Sequence, residues 1–269
     1  KKDVVLSWPY KDCVLEGGQT KEDQKRSEIF WNETLAPDEI DRLLAPKVFT
    51  NFKRYTKDGE EEVTTFSDNE NYIIKGNNLL ALHSLAHIKA FKGKIKLIYI
   101  DPPFNTGNDS FQYNDSFNHS TWLTFMKNRL NVANELLSND GFVFINVDDI
   151  EEAYLKVLCD SIFGVQNFLN VIAVKSSTPS GTKTAHKDKT IIKQKDLILA
   201  YRKSSLATIN PQYTVRDNWD KHYSKFLEKD SDGNYILTDL IDKLIDNGII
   251  QSRISLDKLD INNKEFKKY

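Results

Sequence analysis

The chain has 269 residues, 39% of them apolar and 28% charged, with a net charge of −2 and a pI near 6.3. This composition excludes a disordered polymer and gives no overall basic footprint for nucleic acid, so any such signal has to be local. Two distant cysteines, Cys13 and Cys159, with no CxxC pair, argue against a disulfide framework or structural zinc.

No apolar run approaches the roughly 18–20 residues of a membrane span. The first ten residues lack the apolar core of a secretory signal. A soluble, cytoplasmic protein is the expectation.

In chain order, residues 1–70 read as an N-terminal extension of short elements. Thr20-Lys21-Glu22-Asp23 should cap a helix running to about Leu35. Pro37 suits the first turn of a second short helix, and Pro46 should end it. Asp58-Gly59, between Phe52–Tyr55 and Glu62–Thr65, predicts a hairpin turn.

From residue 71 strands and helices alternate. Asn71–Ile74 reads as a short strand ending in Lys75-Gly76-Asn77. Leu79, Leu82, Leu85 and Ile88 recur at helical spacing. Ile95–Ile100 is nearly continuous apolar and β-prone, as a buried parallel strand should be. After a polar loop, a helix starts near Ser120 and should stop at Asn139-Asp140-Gly141. Phe142–Val147 is another buried strand. Asp148 and Asp149 open a helix that Gly164 ends. Such alternation implies right-handed βαβ units and a doubly wound, Rossmann-like α/β sheet.

Leu169–Val174 and Leu197–Tyr201 suggest an antiparallel hairpin closing the sheet edge. Beyond Lys203, Leu237–Ile250 and Leu256–Tyr269 read as helices. The expected regions are thus 1–70, 71–203 and 204–269.

In open α/β sheets ligands bind beyond the carboxyl ends of the strands, where Asp101-Pro102-Pro103-Phe104 stands. Alone, Asp-Pro-Pro is a loop-starting turn. After a buried parallel strand and before an aromatic, it suits an exocyclic aromatic amine. Such a nitrogen is a poor nucleophile because its lone pair is delocalised. Two acceptors aimed at its hydrogens, the Asp101 carboxylate and the Pro102 carbonyl, can hold it as it becomes pyramidal. Paired prolines stiffen the turn, and Phe104 can stack on a base flipped out of the duplex.

Asn71–Leu80, Ile98–Gly107 and Trp122–Met126, with Lys11–Gly18 near the start, resemble the modification subunit of type III restriction–modification systems. The resemblance covers roughly residues 5–203. It implies a β-class methyltransferase fold and use of S-adenosylmethionine, held around Asp101, Pro102, Pro103 and Phe104. It implies methylation of adenine N6 in double-stranded DNA, dimerisation, and a helicase-nuclease restriction subunit as partner. The family's tetrapeptide usually ends in tyrosine. Phe104 keeps the stacking face and loses only a hydroxyl.

The family also implies a strand followed by Phe-x-Gly-x-Gly for the cofactor. No two of the 11 glycines are separated by one residue. The chain is therefore expected to be the catalytic half of an incomplete sheet with the start of a target-recognition region. Alone, it should bind S-adenosylmethionine weakly.

Asn77 reads either as a cofactor contact or as a helix N-cap. Asp148 and Asp149 read as pocket residues or as carboxylates placed for a helix dipole. Residues 175–195 carry six lysines (175, 183, 187, 189, 193, 195) and one acid, Asp188. Lys175, Lys183, Lys187 and Lys189 are the candidate phosphate contacts, against an ordinary solvated loop. Asn105, Thr106 and Gly107 shape the post-motif loop or touch the flipped nucleotide. His83 and His87 have zinc spacing but no third ligand, so no metal is expected. Two other functions stay open: N4-cytosine methylation, whose enzymes more often begin the motif with serine, and a non-catalytic DNA-recognition or scaffold fragment.

Overall fold

A computed structural model describes residues 5–17, 28–64, 70–105, 118–178, 191–212 and 218–260. The chain divides into two compact units, 1–208 and 209–269.

The first unit begins with β1 (Cys13–Leu15), paired antiparallel with β2 (Phe30–Asn32). A helix running to Leu35 is therefore not formed over 28–35, and its earlier part lies outside the described residues. The apolar Phe30 and Trp31 are drawn instead into pairing with Leu15 and Val14. Helix α1 (Pro37–Leu44) starts on Pro37, as its fixed φ predicts. β3 (Lys53–Thr56) and β4 (Gly59–Glu62) form the expected hairpin about Asp58-Gly59.

Residues 71–74 do not form the expected strand. They pair with no described strand, and Ile73 stands almost fully exposed. Helix α2 (Asn78–Ala86) follows, then β5 (Ile95–Ile100), α3 (His119–Leu136) and β6 (Leu137–Val147). Next come α4 (Glu152–Phe163), β7 (Phe168–Lys175) and β8 (Lys195–Arg202).

The sheet order is β5-β6-β8-β7. β5 and β6 run parallel, and the β7–β8 hairpin is antiparallel, with β8 against β6. This is the α/β architecture that the alternation implied.

Val143, Ile145 and Val147 of β6 and Leu197, Leu199 and Tyr201 of β8 point to one face. There they meet Trp122, Phe125, Met126 and Leu130 of α3 and Leu155, Leu158 and Cys159 of α4. Each large side chain so buried stabilises by about 1.5–3 kcal/mol. β5 is less buried than its composition suggests. Ile98 and Ile100 join that core, whereas Leu97 and Tyr99 on the other face are 57% exposed. No described helix is long and apolar enough to cross a membrane.

β6 starts at Leu137, directly after α3, so Asn139-Asp140-Gly141 lies inside the strand rather than closing the helix. Tertiary packing overrides the turn signal. A Cβ on Gly141 would sit 2.9 Å from the Ile95 carbonyl oxygen and 2.9 Å from Leu137 Cδ1. The first neighbour is backbone of the paired strand and has little room to yield. Gly141→Ala is expected to destabilise by about 1–3 kcal/mol, read as a lower denaturant midpoint with an unchanged slope.

In the second unit β9 (Lys225–Lys229) and β10 (Tyr235–Asp239) form a hairpin, followed by α5 (Leu240–Asp246). The helix expected from Leu237 begins only at Leu240, because Tyr235–Asp239 pairs with β9 and Asp239 caps the helix. Leu256–Lys258 is a single 3-10 turn. The rest of the helix expected there, over 261–269, lies outside the described residues.

Candidate active site

Asp101 follows β5 directly. The register pairs Ile100 with Ile145, so the next residues, Asp101 and Asn146, lie side by side at the strand ends. Asn146 Nδ2 donates to Asp101 Oδ1 at 3.2 Å, and Asn146 Oδ1 accepts from the Tyr99 hydroxyl at 2.9 Å. Because the Asp101 carboxylate only accepts, it fixes the amide with Nδ2 towards Asp101, and the Tyr99 hydroxyl donates to the oxygen on the other side. Asp101 is thereby aimed yet remains exposed.

Pro102 is buried and Pro103 and Phe104 are half-buried. The Pro103 carbonyl accepts from Trp122 Nε1 at 2.8 Å. Among the described residues no donor takes the Pro102 carbonyl. Asp101 Oδ2 and the Pro102 carbonyl, the two acceptors singled out from the motif, thus lack a hydrogen-bond donor among the described residues, unlike the Pro103 carbonyl.

Asn105 takes φ +59°, a left-handed conformation that non-glycine residues seldom adopt. Its Nδ2 donates to Glu151 Oε1 at 2.6 Å. His119, the first residue of α3, places Nδ1 2.8 Å from the same oxygen. The Glu151 side chain is fully buried. Thr106 and Gly107 lie outside the described residues.

Asp148 Oδ1 accepts from Ile150 N at 3.2 Å, and Oδ2 pairs with Lys193. Asp149 pairs with Lys195 at 2.5 Å. Burial alone would lower the Lys193 pKa, but Asp148 and Asp196 outweigh it and raise it. Lys193 and Lys195 are therefore engaged by carboxylates at the base of the basic segment. Lys175 ends β7, exposed and level with Lys195. Lys183, Lys187 and Lys189 lie outside the described residues.

Asn77 is the N-cap of α2. Its Oδ1 accepts from Leu79 and Leu80 N, and its Nδ2 donates to the Glu16 and Gly17 carbonyls. His87 Nδ1 bonds the His83 carbonyl oxygen at 2.8 Å. No group of residues suited to a metal ion occurs among those described.

Sequence reading does not single out Asn146, Glu151, His119 or Trp122 for this site. Asn146 carries a signal in hindsight, as the polar residue of an apolar strand one step from its end. Glu151 carries none, being one acid in the run Asp148-Asp149-Ile150-Glu151-Glu152.

A family model described as DNA methylase matches residues 95–257, more than half of the chain. A probable type III restriction-modification enzyme HindVI Mod subunit from Haemophilus influenzae is 44% identical, over 78% of this chain and 36% of that protein. The EcoP15I Mod subunit of Escherichia coli is 34% identical over 53% of this chain and 27% of its own length. The type II methyltransferase M.KpnI of Klebsiella pneumoniae is 30% identical over 68% and 44%. The chain thus spans between about a quarter and under half of these relatives. An Asp-Pro-Pro-Phe motif at the end of a parallel strand, inside the matched region, fits that result, and the chain belongs to the N6/N4 DNA methylase family.

Proposed function

We propose that the protein carrying this chain transfers the methyl group of S-adenosylmethionine to N6 of an adenine flipped out of double-stranded DNA. It would do so as the modification subunit of a type III restriction–modification system in the cytoplasm. A homodimer and a helicase-nuclease restriction subunit are the assembly this implies. The observation that carries the reading is the pair of acceptors without a donor among the described residues, Asp101 Oδ2 and the Pro102 carbonyl, on a turn held by Asn146 and Trp122.

The target nitrogen donates one N–H to Asp101 and the other to the Pro102 carbonyl. Both contacts strengthen as the nitrogen gains positive charge, so they favour the transition state over the ground state. Phe104 covers one face of the base. As the new N–C bond forms, the nitrogen sheds one proton to Asp101 Oδ2, and from this exposed carboxylate it passes to water. Bound S-adenosylmethionine would supply an electrophilic methyl on a sulfonium, the S–CH3 bond breaking as the N–C bond forms and its electron pair staying on sulfur in the departing neutral thioether. Asp101 and the faces of Pro102, Pro103 and Phe104 fit that group, combining an anionic oxygen with apolar surface. Asn77 does not fit a direct contact, since its oxygen caps α2 and its amide donates to the Glu16 and Gly17 carbonyls.

Labelled methyl transfer to duplex DNA by the full-length gene product, followed by nucleoside analysis, tests the reading. N6-methyladenosine is the expected product. N4-methylcytosine would overturn the adenine assignment, and absence of any transfer would overturn the activity.

Lys175, Lys183, Lys187 and Lys189 are proposed to contact phosphates, whereas Asn105, whose amide is engaged by Glu151, is proposed to shape the loop after the motif rather than to touch the flipped nucleotide. Changing Lys183, Lys187 and Lys189 together to alanine should weaken DNA binding equally across sequences. The salt dependence should flatten by about one unit of slope for each phosphate no longer neutralised. A loss of sequence preference with an unchanged slope would contradict phosphate contact.

A further inference from the structure

We propose that Glu151 is a positioning residue for the reaction described above, holding the Asp101–Asn105 turn in shape through Asn105 and anchoring it to α3 through His119. The proposal rests on the methyl-transfer reading of this site.

Burying a carboxylate costs several kcal/mol unless donors replace the lost water. The Glu151 side chain is fully buried, yet among the described residues its side-chain hydrogen bonds converge on Oε1, from Asn105 at 2.6 Å and His119 at 2.8 Å. Oε2 has no hydrogen-bond partner among the described residues. Helix formation does not account for this residue. Glu151 occupies the N-cap position of α4 but makes no side-chain cap bond. What it does hold is the residue just after the tetrapeptide.

Asn105 sits in a left-handed conformation, which asparagine tolerates better than other residues with a Cβ but which still costs free energy. The bond from its amide to Glu151 offsets part of that cost. Because a carboxylate oxygen only accepts, His119 Nδ1 carries the hydrogen. His119 opens the same helix whose Trp122, one turn later, holds the Pro103 carbonyl. The turn is therefore clamped at three points, Asp101 by Asn146, Pro103 by Trp122 and Asn105 by Glu151. Acceptors that must meet two N–H groups tolerate errors of only about 0.5 Å.

The test uses the full-length gene product and Glu151→Ala, Glu151→Gln, Asn105→Ala and the double alanine variant. Glu151→Ala should lower kcat by about 10- to 100-fold, with KM for DNA within about twofold. Glu151→Gln should keep most activity, because its amide oxygen still accepts from Asn105. Asn105→Ala should match Glu151→Ala, and the double variant should be no worse than either, since the pair acts as one unit.

A merely structural residue would lower the melting temperature and give additive losses. Additive losses, or a glutamine variant as impaired as alanine, would overturn the proposal. Fluorine NMR of fluorotryptophan-labelled protein gives a readout that needs no activity. The Trp122 resonance, assigned with Trp122→Phe, should shift in Glu151→Ala and Asn105→Ala but not in Glu151→Gln. A wild-type protein that shows this pattern without methyl transfer would refute the function and keep the positioning role. An unmoved resonance would refute the positioning role whatever the activity. Should Glu151→Ala not fold, Asn105→Ala against Glu151→Gln decides in both assays.

Discussion

Replacing Asp101 by alanine is expected to lower methyl transfer by about 10²–10³-fold, the usual cost of removing one preorganised group that acts on developing charge. The loss should fall on kcat, with DNA affinity nearly unchanged, because the contact strengthens only as the nitrogen becomes positive. Asp101→Asn should be almost as damaging. Asn146 Nδ2 now donates to Oδ1, and an asparagine oxygen could still take that bond. Its amide would then present N–H groups, which cannot accept, to the amino group of the base. Single-turnover rates on a methylatable duplex check both variants. Activity of the asparagine variant close to wild type would remove the acceptor role from Asp101.

Arg129→Ala is the stability counterpart. Arg129 is 6% exposed and stacks 3.5 Å from the Phe125 ring centre. Its Nη2 donates to the Glu16 carbonyl at 2.7 Å, its Nε to Asn78 Oδ1 at 2.8 Å, and its Nη1 to the Leu15 and Phe125 carbonyls. One side chain on α3 thus ties the end of β1 to the start of α2. Truncation leaves those acceptors short of a donor and opens a cavity. The expected loss is about 3 kcal/mol, a large share of the roughly 5–15 kcal/mol that holds a domain together.

Lysine should not restore the loss, because one ammonium cannot span the same acceptors. Burial lowers the Arg129 pKa to about 9, so the group is charged in both folded and unfolded chains at neutral pH. Its contribution should be flat there. Thermal unfolding of the alanine variant within about a degree of wild type would contradict the assignment, since a few kcal/mol moves the midpoint by several degrees.

Much of the site was legible because its signals are local. Asp101-Pro102-Pro103-Phe104 follows an apolar run that can only be a strand in an α/β chain, and the strand is there. Pro37 and Asp58-Gly59 set their elements through their own φ preferences, and the β7–β8 hairpin was visible as two β-prone runs. Where local preference is weak, neighbours distant in sequence decided. Phe30–Asn32 became a strand because β1 offered an edge. Residues 71–74, β-prone but unpaired with any described strand, did not. Leu137–Gly141 was drawn into β6 despite a turn-forming sequence, because Ile95 and Leu97 of β5 fix its register across a bulge.

The family and the reacting tetrapeptide were determined by residues adjacent in the chain, since a turn and the groups it carries are short-range properties. Which side chains aim and hold that turn was decided only by tertiary structure. Asn146 reaches Asp101 across 45 residues, Glu151 reaches Asn105 across 46, and Trp122 reaches Pro103 across 19. A hydrogen bond between such partners depends on sheet register and on burial. Neither is encoded at any single position of the sequence, so an acid like Glu151 looks the same as its acidic neighbours until the fold closes over it.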